Sequence, residues 1–188
     1  RHCAVAKEMA LDQCTSLGGL ADQAGLGDRW AHGRFRAPYL RDPLGSAGYA
    51  VDTMETAVDW SKLPQAVENI ESAIRNGLAD EGEQVHTYTH LSHVYGQGSS
   101  IYTTYLFRLG DSYEHAMKRW HKLKAAGANQ IVASGGTISH QHGVGRDHRD
   151  YLVAEKGDLG LAAINSLCQL FDPESQMNPG KLLPDELN

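Results

Sequence analysis

The chain has 188 residues, of which 41% are apolar and 21% are charged, and its formal charge is −6 at pH 7. This composition excludes a disordered tail and is typical of one globular domain that buries its own core. The 17 Lys and Arg residues form no long basic run, so nucleic acid is not an expected partner.

One helix and one turn-rich stretch make up the first part of the chain. Apolar residues recur at helical spacing over 3–17, and Gly18 and Gly19 follow as a stop signal. The stretch 28–48 mixes aromatic and arginine side chains with two prolines, which predicts a packed short helix or series of turns. We therefore expect residues 1–48 to form a leading helical segment.

The middle part, residues 49–134, shows strand and helix patterns in the order β-α-β-β-α-β. Strands are predicted at 49–56, 84–94, 100–109 and 131–133, and helices at 59–77 and 111–126, with Gly127 as the stop of the second helix. This order is that of the ferredoxin-like fold, in which two helices cover one face of an antiparallel sheet. The fold class is therefore α+β, with further helices on the N- and C-terminal sides.

The last part, residues 135–188, begins with a loop rich in glycine and histidine and continues into a predicted helix at 159–171. The histidines of the chain form two groups by sequence, namely His86, His90 and His93 and then His140, His142 and His148. Imidazole exchanges protons near neutral pH, so His140 and His142 can orient a substrate or relay a proton. Alternate residues of an extended segment share a face, which favours this interpretation over histidines that only stabilise the loop.

Two other interpretations of the histidines remain beside the first. Several imidazoles could hold Zn²⁺, but their spacing shows no closed ligand geometry, and we assign no metal ligand. His86 and His90 share one face of a strand and His93 lies on the other, so these three are interpreted as sheet-face or surface residues.

The cysteines and the hydropathy of the chain bear on its cellular location. Cys3, Cys14 and Cys168 have no metal-like spacing, which predicts reduced thiols buried as small core residues and a cytoplasmic location. No stretch reaches the roughly 18 apolar residues of a membrane span. The chain starts at Arg1 and enters helix-like sequence at once, so we expect it to be part of a longer polypeptide.

Several motifs occur in an order that resembles one family. They are V-D-T-M-E-T-A-V-D-W at 51–60, S-H-V-Y-G-Q-G at 92–98, S-G-G-T-I-S-H-Q-H-G-V-G-R-D-H-R-D-Y-L at 134–152 and F-D-P-E-S-Q-M-N-P-G-K-L at 171–182. Together they resemble the C-terminal part of the FAD-linked oxidases of the vanillyl-alcohol oxidase superfamily, and within it the alkyldihydroxyacetonephosphate synthase branch. The resemblance implies that residues 1–188 form a cap domain over the flavin ring, while an N-terminal domain outside this chain holds most of FAD.

The resemblance also implies a set of site residues. They are Tyr95, His140 and His142 for catalysis, Arg41 and Gln141 for substrate binding, and Asn178 for contact with the cofactor. Tyr95 would act as general acid and base, and the two histidines would orient and transfer protons. Metal-dependent 2-hydroxyacid dehydrogenases of the superfamily carry metal ligands at positions that are Tyr95, Tyr102 and Gln141 here, so no metal is expected.

The function that the resemblance implies is the exchange of an acyl for an alkyl group on dihydroxyacetone phosphate, in ether lipid synthesis, with no net redox change. One alternative is oxidation of an alcohol or a 2-hydroxy acid by the same flavin, and another is a non-catalytic interaction module. The expected partners are a lipid-like or hydroxyacid small molecule, the N-terminal FAD-binding domain and, as one option, a second copy of the chain in a homodimer.

Overall fold

A computed structural model describes residues 2–21 and 25–184. The chain divides into two compact units, Arg1–Asp42 and Pro43–Asn188, and each is described by itself. None of the helices in the described ranges is both long and apolar enough to cross a membrane.

The first unit consists of short helices without buried residues. Its helices are α1 (His2–Ser16), α2 (Leu26–Gly33) and a 3₁₀ helix at Arg34–Leu40. The helix predicted at 3–17 is confirmed, and Gly18 follows it with a left-handed φ of 86°. The prediction that 28–48 is packed is wrong within this structure. Trp30, Phe35 and Tyr39 are 65%, 72% and 73% exposed, because the helices described in this unit bury no residue.

The second unit is built on a three-stranded antiparallel sheet. Its elements are α3 (Arg41–Ser46, which starts at the end of the first unit), β1 (Tyr49–Asp59), α4 (Leu63–Arg75), β2 (His86–His90), β3 (Gly98–Arg108), α5 (Tyr113–Ala133) and α6 (Val153–Phe171). The strand order is β1-β3-β2, and both pairings are antiparallel. The mixed α+β class is thus confirmed, and α6 is broken at Gly157, whose φ of 66° and ψ of 170° are not helical.

The two faces of the sheet differ in chemistry because side chains alternate along each strand. On β1, Asp52 and Met54 face α4 and α5, where Met54 packs beside Gly127 of α5. Glu55 faces the opposite side, which we call the open face. Its cross-strand neighbour on β3 is Tyr102. The helix-covered face holds the apolar core, including Ile70, Ile74, Ile101, Phe107, Leu123 and Ile131.

A buried polar network fastens α5 to β1 on the helix-covered face. Lys124 donates to Asp52 over 2.9 Å and to the backbone carbonyl of Thr53 over 3.0 Å. The same carboxylate oxygen of Asp52 accepts hydrogen bonds from the Tyr105 hydroxyl (3.0 Å) and the Trp120 indole (2.7 Å). Burial and the charge of Asp52 raise the pKa of Tyr105, which keeps its hydroxyl as a donor.

The predicted fourth strand at 131–133 is wrong, because α5 continues through these residues to Ala133. Leu123, Gly127, Ala128 and Ile131 are buried at helical spacing, so packing on the sheet maintains the helix beyond Gly127. The predicted stop at Gly127 is therefore wrong as well. Along the outer edge of β1 lies an irregular segment instead, in which the backbone N–H of Thr137 donates to Ala57 over 3.3 Å.

Gly127 is required for the close approach of α5 to the sheet. A Cβ at this position would lie 2.3 Å from the Met54 sulfur and 3.1 Å from Cδ1 of Ile74. We expect Gly127→Val to lower the free energy of unfolding by about 2 kcal/mol in urea titrations, because it overpacks the core. Asn129→Val, two residues along on the exposed side of the same helix, is the control and should change stability by less than about 0.5 kcal/mol. Equal effects of the two variants would contradict the packing argument.

The cysteines do not lie in the core. Cys3, Cys14 and Cys168 are all free and exposed, so the prediction that they are buried is wrong. The helices that carry them, α1 and α6, expose most of their length and provide no interior at these positions.

Candidate active site

Glu55 lies at the centre of a polar cluster on the open face of the sheet. Its side chain is only 2% exposed. The hydroxyl of Ser92 donates to Oε1 of Glu55 over 2.6 Å and is itself 2.6 Å from the Ser100 hydroxyl on β3. A buried carboxylate needs such partners, since burying an unpaired charge is costly.

Three imidazoles surround the Glu55 carboxylate. Nδ1 of His93 lies 3.4 Å from Oε1, and Nδ1 of His140 lies 3.2 Å from the same oxygen. Nε2 of His142 lies 3.2 Å from the other oxygen, Oε2. Burial alone would raise the pKa of Glu55, but the hydrogen bond from Ser92 and the neighbouring imidazoles outweigh it and hold the pKa below its usual range. Glu55 is therefore an anion at neutral pH, positioned to stabilise a proton on a neighbouring ring.

A tight turn brings His140 and His142 to the same carboxylate. The backbone N–H of His140 donates to the carbonyl of Glu55 over 3.0 Å, which fixes the segment against β1. Gln141 has a left-handed φ of 60°, and the N–H of His142 donates back to the carbonyl of His140 over 2.8 Å. The two histidines thus converge through a turn, whereas the prediction relied on alternation in an extended segment.

Tyr95 completes a chain of three groups. Its hydroxyl is 3.0 Å from Nε2 of His140, whose other ring nitrogen faces Glu55. The loop between β2 and β3 holds the tyrosine, because the N–H of Tyr95 donates to Gly98 over 2.8 Å and the Trp60 indole donates to the carbonyl of Tyr95 over 3.1 Å. A hydroxyl, an imidazole and a buried carboxylate in sequence can move a proton and stabilise the resulting imidazolium.

Aromatic rings continue from this cluster across the open face. The Tyr102 ring lies 5.5 Å from that of His142 and 5.0 Å from that of His90. Tyr88 and His86 lie further along β2, with ring centroids 5.8 Å apart, and both are exposed. The open face therefore presents flat rings and polar groups, next to the partly exposed aliphatic side chains of Val51 and Leu106.

The structure brings together three of the six predicted site residues, Tyr95, His140 and His142. Gln141, between the histidines, has an exposed side chain. Asn178 is exposed in a C-terminal turn, where its φ is 50°. Arg41 is the first residue of α3 and belongs to the first unit, where it is exposed.

Sequence reasoning missed Glu55 and misplaced His93. Glu55 is one of three acidic residues in its strand, with Asp52 and Asp59. The only sequence feature that could have singled it out is its place in the M-E-T part of the family-like motif at 51–60. His93 was interpreted as a sheet-face or surface residue, but it lies beyond the end of β2, and its ring contacts that of His140 at 5.4 Å. Glu55, His93 and His140 place one donor atom each within 4.8 Å of one another, a spacing that can hold a metal ion.

Comparisons with known proteins agree with the motifs. Residues 3–182 match the family described as FAD linked oxidases, C-terminal domain. The alkyldihydroxyacetonephosphate synthase of Trypanosoma brucei brucei is 27% identical over 158 residues, which are 84% of this chain and 25% of that protein. The mitochondrial D-2-hydroxyglutarate dehydrogenase of Danio rerio is 38% identical over 53 residues, which are 28% of this chain and 10% of that protein.

A solved structure of an alkyldihydroxyacetonephosphate synthase has a similar fold. Its TM-score is 0.57 at 23% identity, and the match covers 82% of this chain and 25% of that one. The chain thus spans about a quarter of the length of the synthases that it matches.

Proposed function

Because the chain belongs to the family of FAD linked oxidases, C-terminal domain, we propose that it forms the substrate side of a flavoenzyme that exchanges an acyl for an alkyl group on dihydroxyacetone phosphate. The observation that carries this proposal is the path from the Tyr95 hydroxyl through His140 to Glu55, with separations of 3.0 and 3.2 Å. The similarity to the trypanosomal synthase over 84% of the chain supports the choice of reaction.

The open face suits a flavin. Tyr88 and His86 are exposed there, and Tyr102 follows on β3 with a partly exposed side chain, so flat rings and hydroxyl groups are available to a planar heterocycle with polar edges. FAD, when bound, supplies the carbon–oxygen exchange chemistry that side chains lack. We propose that a further domain outside this chain holds most of the cofactor and that Asn178 contributes a contact.

The residues of this chain manage one proton in the proposed reaction. The acylated substrate loses its fatty acid as a carboxylate, and the entering fatty alcohol gives up a proton as its oxygen bonds to the same carbon. As Tyr95 takes up that proton, it gives its own hydroxyl proton to Nε2 of His140, and the reverse transfer delivers one proton to the released carboxylate, so no electrons are gained or lost. Glu55 stabilises the transient positive charge on the imidazole.

The other predicted residues have supporting roles in this proposal. His142, held by Glu55 over 3.2 Å, orients the substrate beside Tyr102. The exposed amide of Gln141 offers both a donor and an acceptor, although it cannot carry a proton. Arg41 is proposed as a contact for phosphate or carboxylate, which its exposed guanidinium suits chemically.

The experiment uses the purified full-length protein, with the proposed FAD-binding domain and its flavin, together with acylated dihydroxyacetone phosphate and a labelled fatty alcohol. We expect one labelled ether product per fatty acid released, with the visible flavin absorbance retained at the end of the reaction. Failure of the protein to bind FAD would instead support a non-catalytic interaction module.

Oxidation of an alcohol or a 2-hydroxy acid is the second candidate. The match to the zebrafish D-2-hydroxyglutarate dehydrogenase over 28% of the chain favours it. Lasting bleaching of the flavin by such a substrate, without alkyl exchange, would select this candidate over the first.

The three exposed, unpaired cysteines suit a reducing compartment, and we propose the cytoplasm.

A further inference from the structure

The geometry around Glu55 points to a binding site for a transition-metal ion. We propose that Oε1 of Glu55, Nδ1 of His93 and Nδ1 of His140 bind one Zn²⁺-like ion, and that this ion inhibits the proton path through His140. The binding stands independently of the proposed function, whereas the inhibition rests on it.

Two of the three distances between the donor atoms match a metal of this size, and the third, between the two imidazole nitrogens, is within 4.8 Å. Ligands at about 2.0 Å from Zn²⁺ in tetrahedral arrangement lie about 3.3 Å from one another. Oε1 of Glu55 is 3.4 Å from Nδ1 of His93 and 3.2 Å from Nδ1 of His140. The two imidazoles and one carboxylate also favour zinc over magnesium or calcium, which prefer oxygen ligands.

One donor atom lacks a hydrogen-bond partner. Nδ1 of His140 is buried, and in the described part of the chain it has no hydrogen bond of acceptable geometry, despite its 3.2 Å separation from Glu55. A buried polar atom of this kind calls for a partner. A metal ion between the two side chains would satisfy the nitrogen and the carboxylate together.

Further side chains hold these donors in place. Ser92 donates to Glu55 over 2.6 Å, and its hydroxyl lies 3.1 Å from Nδ1 of His93. Because that hydroxyl has one proton, donating it to Glu55 leaves the lone pair of His93 for a metal. The Tyr95 hydroxyl holds the opposite nitrogen of His140 at 3.0 Å, as outer partners of metal-binding histidines do.

The site differs from the metal positions of the dehydrogenase branch, which correspond to Tyr95, Tyr102 and Gln141. Its ligands come from β1, from the residues after β2 and from the turn at 140–142. A metal on Nδ1 of His140 would leave the ring proton on Nε2. The ring could then donate to Tyr95 but could not accept its proton, so the relay would stop.

The test measures Zn²⁺ binding to the metal-stripped purified protein by calorimetry. We expect one equivalent of Zn²⁺, and we expect His93→Gln to weaken its affinity at least about tenfold, because one of three ligands is lost. His86→Gln, an exposed histidine on β2, is the matched control and should leave the affinity unchanged. Circular dichroism checks that both variants fold.

Two results would overturn the site: no saturable Zn²⁺ binding by the wild type, or equal weakening of Zn²⁺ affinity by both substitutions.

In the exchange assay, Zn²⁺ should inhibit the wild type and a chelator should restore its activity. For the same fractional inhibition, measured relative to its own metal-free rate, His93→Gln should need a Zn²⁺ concentration at least about tenfold higher than the wild type. Zinc binding without exchange activity would refute the proposed function alone, and exchange insensitive to bound zinc would refute the inhibition.

Discussion

Replacing Tyr95 by phenylalanine is expected to lower kcat for alkyl exchange by about 10²–10⁴-fold, the usual contribution of a positioned acid or base. The substitution removes the hydroxyl that lies 3.0 Å from Nε2 of His140 and keeps the ring. The backbone of Tyr95 is fixed independently by Gly98 and by Trp60, so the loop should not move. Because the lost interaction concerns proton transfer, KM should change little. Steady-state kinetics of the flavin-loaded protein measure both parameters.

Tyr113→Phe is the control for this prediction. Tyr113 is the first residue of α5 and is 74% exposed, so it lies outside both the Glu55 cluster and the open face of the sheet. Flavin content must be equal in both variants. If Tyr95→Phe turned over as fast as Tyr113→Phe, Tyr95 would have no role as acid or base.

Replacing Asp52 by alanine is expected to lower the free energy of unfolding by about 3 kcal/mol, because it leaves a buried ammonium group without its counter-ion. Lys124, 9% exposed, loses its carboxylate partner, and Tyr105 and Trp120 lose their acceptor. For a chain of this length the change corresponds to a fall in Tm of about 6–12 °C. Urea and thermal unfolding measure the effect, and Asp59→Ala, at the exposed end of the same strand, is the control.

A second substitution separates the ion pair from other effects. Asp52→Leu combined with Lys124→Met should recover at least about 1 kcal/mol relative to Asp52→Leu alone, because the unpaired charge is removed as well. Additive losses in the double variant would show that the pair carries no coupling energy.

The Asp52 effect should also depend on pH. Burial alone would raise the pKa of Asp52, but the charge of Lys124 and hydrogen bonds from Lys124 and Trp120 outweigh it, so the pKa lies below the ordinary 3.8. As the pH falls, Asp52 is therefore protonated at a lower pH in the folded state than in the unfolded state. Its contribution to the free energy of unfolding is complete above the unfolded pKa and is lost as the pH falls through the folded pKa. The stability difference between wild type and Asp52→Ala should narrow below about pH 3.8.

Local patterns determined the elements that depend on neighbours in the chain. The helix at 3–17 and the strand that begins at Tyr49 were predictable because their side chains repeat with the period of the element. The strand prediction at 131–133 was wrong because it, too, relied on the local pattern alone. A short β-branched run favours a strand by itself, but packing of α5 on the sheet makes it the end of a long helix.

The cluster could be predicted only in part. The histidine-rich loop and Tyr95 stand out in the sequence by residue type and by their resemblance to a family. Glu55 does not, because nothing within a strand indicates which carboxylate will be covered. Its burial depends on Ser92 and His140, which are 37 and 85 residues away in the sequence. The sequence by itself determined the presence of α1, α4, α5 and α6, the three strands and the family, and it offered Tyr95 and the histidines as candidates. Only the tertiary structure decided that Glu55 organises them, because it alone brings groups that are distant in sequence to within hydrogen-bonding range.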